Sequence, residues 1–153
     1  PTVPRDEGEK YRAFLMEKIA QSKINDQVMM LNKFADYQEL KNYLSACDIY
    51  VTPYPNANQI SSGTLAFALG AGKPIVSTPF NYAKDLLAHD RGLFFNFNDS
   101  EDLADNLRAL IVNPEKSQQY RNNAKSFGET MQWPKIANQI LELLKSTIST
   151  HKS

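Results

Sequence analysis

Apolar positions recur along the chain with two periods, and the alternation between them outlines its elements. Over Glu7–Lys23, the residues Tyr11, Phe14, Leu15, Ile19 and Ala20 fall at helical spacing, which predicts an amphipathic helix with one buried stripe. Gln27–Leu31 is a short apolar run, expected to enter a sheet as a strand. Asp36 stands at the N-cap of a helix over Tyr37–Ala46, which carries Leu40, Tyr43 and Leu44 on one face. Ile49–Thr52 is β-branched and aromatic, so it reads as a strand; Pro53-Tyr54-Pro55 stops it, and the polar loop Asn56–Ser62 follows. Leu65–Leu69 is a small-residue helix closed by Gly70 and Gly72, and Pro74 marks the next strand, Ile75–Ser77.

Beyond it the spacing predicts a helix over Asn81–Ala88, a strand over Gly92–Phe95 and a helix over Glu101–Ile111 capped by Asn98-Asp99-Ser100. Asn113 followed by Pro114 is the signature of a capped helix start, leading into an outer helix over Ser117–Phe127; the last helix is Pro134–Ser146. Strand, loop, helix and strand succeed one another within about 25 residues, and such crossovers join parallel strands. The expectation is an α/β fold: an open, parallel, Rossmann-like sheet of about four strands with helices on both faces. One domain spans residues 1–146, and residues 147–153 form a disordered tail. Tyr11, Phe14, Tyr43 and Trp133 occupy positions expected to face the core.

Composition narrows the function classes. Seventeen basic and seventeen acidic side chains cancel, which removes the net field that would draw nucleic acid or an anionic membrane surface. No apolar run approaches the roughly 20 residues of a membrane helix. The single cysteine, Cys47, reads as a small buried thiol, and with no disulfide to form it suits a cytoplasmic protein.

In open parallel sheets ligands gather at the carboxyl ends of the strands, which selects the loops Asn32–Asp36, Pro53–Thr64 and Ser77–Tyr82. Ser61-Ser62-Gly63-Thr64 puts hydroxyls and a flexible backbone at a helix start, a combination suited to a phosphate; spacing alone equally fits a simple cap. Gly70-Ala71-Gly72-Lys73 is not a Walker loop, because Phe67 and Pro74 stand where that motif needs glycine and a hydroxyl residue. His89 and His151 have no companions at metal-ligand spacing, so no metal is expected. The serines lack a nucleophile-elbow pattern, and Glu101-Asp102 reads as a helix start rather than a catalytic pair.

Taken in order, Tyr43–Pro53, Ala68–Val76, Asp85–Leu87, Arg91-Gly92 and Trp133–Ala137 resemble the C-terminal domain of group 1 retaining glycosyltransferases, over about residues 7–145. The resemblance implies a truncated GT-B fold in which this domain binds a nucleotide-diphosphate sugar, a missing N-terminal domain binds the acceptor, and a hexose moves between them with retained configuration. It implies no cofactor and no metal, the leaving diphosphate being stabilised by helix N-termini and basic side chains. It places Lys33 and Phe34 near the base, Ser61, Ser62, Gly63 and Thr64 near the donor phosphates and sugar, and Asp85 at an acidic position after the next strand. The two glutamates that mark the family are here Gln59 and Phe67. Gln59 retains the capacity to orient a sugar hydroxyl, whereas Phe67 cannot accept from ribose; the serine-rich loop resembles that of mannosyltransferase-like members. The first strands of the family, with their glycine-rich turn, would precede Pro1, so the chain by itself is expected to transfer no sugar. The alternative is a non-catalytic nucleotide- or partner-binding α/β module.

Overall fold

The computed structural model describes residues 5–150, which divide into two units, one through Gln38 and one from Glu39. The first begins with helix α1 (Arg5–Gln21). It ends where Lys23 takes a left-handed φ of 56° and its N–H donates to the Ala20 carbonyl, a turn that stops helical propagation. Leu15 and Ile19 are half-buried, but Tyr11 and Phe14 are 61% and 48% exposed, contrary to their expected core positions. Periodicity marks the face a helix can bury, not what covers it, and a unit under about 40 residues has little chain to do so. Gln27–Leu31 is not a strand. The Gln27 N–H turns back to the Ile24 carbonyl, and Val28–Leu31 is exposed and outside the sheet. The run supplies strand-compatible side chains, yet a strand also needs a neighbouring backbone for its polar groups.

Helix α2 (Tyr37–Ala46) leads into the second unit and buries Leu44, while Tyr43 stays exposed. A sheet of three strands, rather than four, follows: β1 (Tyr50–Thr52), β2 (Ile75–Ser77) and β3 (Leu93–Phe94), in the order β1-β2-β3 and parallel throughout. Tyr50 pairs with Ile75, Thr52 with Ser77, and Ser77 with Phe94. Crossovers through α3 (Gly63–Gly70) and α4 (Asn81–Leu86) connect the strands, as the alternation predicts.

Side chains alternate across a strand, and here that sorts the core into two layers. Ile75 joins Leu65, Ala68, Leu69, Phe80, Leu87 and Ala124 on one face; Val76 joins Phe95 and Leu110 on the other. The second layer rests on α5 (Ser100–Val112), capped by Asp99, whose carboxylate accepts from the Asp102 N–H at 2.9 Å. Helix α6 (Pro114–Thr130) starts at the predicted cap, Asn113, with Pro114 in its first turn. It approaches α3 so closely that a Cβ on Gly128 would lie 2.7 Å from the Gly70 Cα. Helix α7 (Trp133–Thr150) continues through 147–150, where the sequence suggested a disordered tail; residues 151–153 lie outside the described residues. Its apolar side chains from Ile140 to Ile148 are exposed, and Trp133, expected in the core, is 83% exposed.

Two basic side chains close helix ends inside this unit. Lys73 is buried and its ammonium donates to the Ser45 and Cys47 carbonyls, at 2.8 and 2.9 Å, capping the end of α2. Arg91 donates to the Leu86 and Asp85 carbonyls at the end of α4, with its guanidinium 3.8 Å from the Phe127 ring centre. Both satisfy carbonyls that a helix leaves unpaired. Lys73 is therefore occupied and unavailable to a phosphate, which agrees with rejecting a Walker loop.

Candidate functional site

The loop from Pro53 to Ser62 leaves the carboxyl end of β1 and is tied to the β2–α4 connection by backbone carbonyls. Thr78 donates its hydroxyl to the Tyr54 carbonyl at 2.7 Å, and the Thr78 N–H donates to Thr52. Asn56 makes a local turn, its side chain accepting from the Asn58 N–H at 2.9 Å. The Asn81 and Tyr82 N–H groups, at the start of α4, donate to the Ala57 and Gln59 carbonyls. Phe80, at the N-cap of α4, has no capping side chain, so the loop does that work. Its fully buried ring meets Tyr54 edge-on, 5.1 Å between centres.

At the start of α3 the arrangement differs. Ser62 is buried, and its hydroxyl accepts from the Leu65 N–H at 3.3 Å; for this residue the capping role is realised. The N–H groups of Gly63 and Thr64 have no acceptor among the described residues. Nothing lies within 4 Å of a Cβ built on Gly63, so the backbone there faces open space. Ser61 and Thr64 are exposed beside it. Gln59 is half-buried and its side-chain N–H donates to the Ser61 carbonyl at 2.8 Å, bracing the turn into the helix.

Of the sequence-predicted residues, Gln59, Ser61, Ser62, Gly63 and Thr64 thus form one continuous turn. Lys33 and Phe34 belong to the first unit, in the exposed chain between α1 and α2. Asp85 is exposed on α4, where its backbone carbonyl is used by Arg91. Phe67 is on α3 and 43% exposed. Thr78 and Asn81 lie in the selected loop Ser77–Tyr82 without having been given a role, and sequence reasoning missed Tyr50. Tyr50, read only as a strand residue, donates its phenol O–H to the Thr64 hydroxyl at 2.8 Å. Its partly buried ring was the available signal, since the polar tip of a buried tyrosine normally finds a partner. Burial pushes the Tyr50 phenol above its ordinary pKa, against the smaller opposing effect of its hydrogen bonding with Thr64 and Thr52.

At the other end of β1, a depression of about 520 Å³ is lined by Asp48, Ile49, Leu110, Ile111, Pro114 and Arg121. It lies at the amino end of the strand, away from the βα loops. Among the described residues no three His, Cys, Asp or Glu side chains come together as a metal site, and no helix is long and apolar enough to cross a membrane.

A three-stranded parallel sheet with unpaired N–H groups at one helix start is shared by many folds. The family model for glycosyl transferases group 1 matches residues 8–127. The chain belongs to that family. Its fold is that of a GT-B C-terminal domain. HepE from Anabaena, solved in complex with UDP, superposes with a TM-score of 0.76 at 23% identity, over 90% of this chain and 37% of HepE. The C-terminal domain of LpcC, a glycosyl transferase group 1 family protein from Francisella tularensis, gives 0.72 at 20% identity, over 84% of this chain and 64% of that one. Sucrose-phosphate synthase from Thermosynechococcus elongatus gives 0.73 at 17%, over 92% of this chain and 35% of the synthase. The group 1 domain thus spans about a third of the first and third of these proteins. A search of curated protein sequences finds no match.

Proposed function

We propose that residues 1–146 are the partial donor-binding domain of a retaining, mannosyltransferase-like glycosyltransferase, which moves a hexose from a nucleotide-diphosphate sugar to an acceptor. The observation that carries this reading is the open first turn of α3, where Gly63 and Thr64 present N–H groups with no acceptor among the described residues. Family membership supports the choice of ligand class, as do HepE structures holding UDP and UDP-glucose. When the bond between sugar and diphosphate breaks, negative charge gathers on the leaving oxygens. Fixed N–H donors at the positive end of a helix dipole stabilise that charge without reorganising. Gly63 lets the diphosphate reach the backbone, the Ser61 and Thr64 hydroxyls add donors, and Ser62 holds the turn by capping it. Gln59, with its N–H held by Ser61, turns its carboxamide oxygen to a sugar hydroxyl.

In this reading no cofactor or metal takes part, the acceptor is bound by a separate N-terminal domain, and the protein works in the cytoplasm. The chain spans 37% of HepE, and in this reading it transfers no sugar by itself. A second reading, a non-catalytic nucleotide- or partner-binding module, is favoured by Gln59 and Phe67, which leave no carboxylate at the two family positions.

Isothermal titration of the intact protein with UDP, GDP and ADP tests the proposal. One of them should bind, and Gly63→Val should weaken it at least tenfold, about 1.4 kcal/mol, while leaving the melting temperature unchanged because the site is empty space. If none binds, or if Gly63→Val binds as well as the wild type, the donor-binding reading is wrong.

A further inference from the structure

Tyr50 reaches the first turn of α3 from β1 rather than from the loop Pro53–Ser62. Its position is fixed before any ligand arrives. The Tyr50 N–H donates to the Pro74 carbonyl at 2.9 Å, the residue pairs with Ile75 in the sheet, and its ring packs against the larger core layer. From this rigid base the phenol spans to the exposed first turn of α3, 14 positions on in sequence, and donates to the Thr64 Oγ1 at 2.8 Å. A hydroxyl that accepts one hydrogen bond still carries its own proton. With Tyr50 filling an acceptor site on Thr64, that proton is directed elsewhere, and the unpaired N–H groups of Gly63 and Thr64 sit in the same turn.

We infer that Tyr50 is a positioning residue for donor binding: its phenol orients the Thr64 hydroxyl so that Thr64 donates to a phosphate oxygen of the nucleoside diphosphate held at the start of α3. The inference rests on the donor-binding reading of that turn. Burial raises the pKa of the phenol, so it remains a hydrogen-bond donor across the neutral range. The aromatic ring is needed for packing and the hydroxyl for orientation, and the two roles separate on substitution.

The experiment is a double-mutant cycle on the intact protein, read by titration with whichever of UDP, GDP and ADP the wild type binds most tightly. Tyr50→Phe keeps the ring and should raise Kd about fivefold, the scale of one hydrogen bond, with the melting temperature within a degree or so of wild type. Thr64→Val should raise Kd by at least as much. In the Thr64→Val background, Tyr50→Phe should add nothing, because the group it orients is gone. Thr64→Ser leaves β1 untouched and keeps the acceptor oxygen; held by Tyr50, it should bind within about twofold of wild type despite serine's freer side chain. Additive losses in the cycle, or a Thr64→Ser defect as large as that of Thr64→Val, would overturn the positioning role. If Thr64→Val weakens binding and Tyr50→Phe does not, the inference fails while the donor site stands. If Gly63→Val and Thr64→Val both leave affinity unchanged, the donor site fails and this inference with it.

Discussion

The first turns of α3 and α4 arise from the same βα geometry on neighbouring strands, yet one is closed and the other open. At α4, the Asn81 and Tyr82 N–H groups are taken up by the Ala57 and Gln59 carbonyls. At α3, Ser62 satisfies the Leu65 N–H, and those of Gly63 and Thr64 are left to whatever approaches from outside. The same loop does both jobs: its middle caps α4 and its end presents α3. A helix start can accept a ligand only where the surrounding chain leaves it unfilled, and here the loop decides which of the two starts stays open.

The most severe way to break this contrast is to move α3 itself. Gly128→Ala would place a methyl 2.7 Å from the Gly70 Cα, with backbone rather than a flexible side chain in the way. Overpacking of this kind should cost about 1–3 kcal/mol, visible as a lower denaturant midpoint, and should weaken nucleoside-diphosphate binding because the first turn of α3 shifts. A more selective change opens the closed start. Asn81→Pro removes the N–H that donates to Ala57 and leaves the helix itself able to form, since proline suits a first helical position and Phe80 already has a proline-compatible φ of −74° and ψ of 158°. The expected cost is about 1 kcal/mol, with faster hydrogen exchange confined to residues 56–62. Unchanged exchange there would show that the loop does not depend on α4.

The smallest effect at neutral pH concerns Tyr50. Its folded-state pKa is raised by burial, so the associated stability is fully present below the unfolded value of about 10 and is lost as pH rises through the folded value. Tyr50→Phe should remove this part of the alkaline destabilisation, leaving a flatter profile of melting temperature above about pH 10. Identical wild-type and variant profiles would mean that the phenol does not feel the buried environment described.

The helices were legible because their signals are local. Asp99 and Asn113 cap the helices they were expected to cap, Pro114 stands in the first turn as expected, and Ser62-Gly63 opens α3. Gln27–Leu31 was not legible, because a strand is made by its neighbour as much as by its own residues. The exposure of Tyr11, Phe14, Tyr43 and Trp133 was likewise hidden, since helical spacing reports a face and not its cover. The candidate site was half legible. Ser61–Thr64 stood out by composition, but nothing local distinguishes a serine that caps from one that binds.

From the sequence alone follow the βα alternation, the helix starts and the loop-to-helix turn Ser61–Thr64, because capping and periodicity act within a few residues. The tertiary structure decided that Ser62 caps, that Lys73 closes α2, that the loop fills the start of α4 and that Tyr50 reaches Thr64. Those outcomes depend on donors and acceptors brought together from distant positions, and only the packed sheet fixes which of them meet.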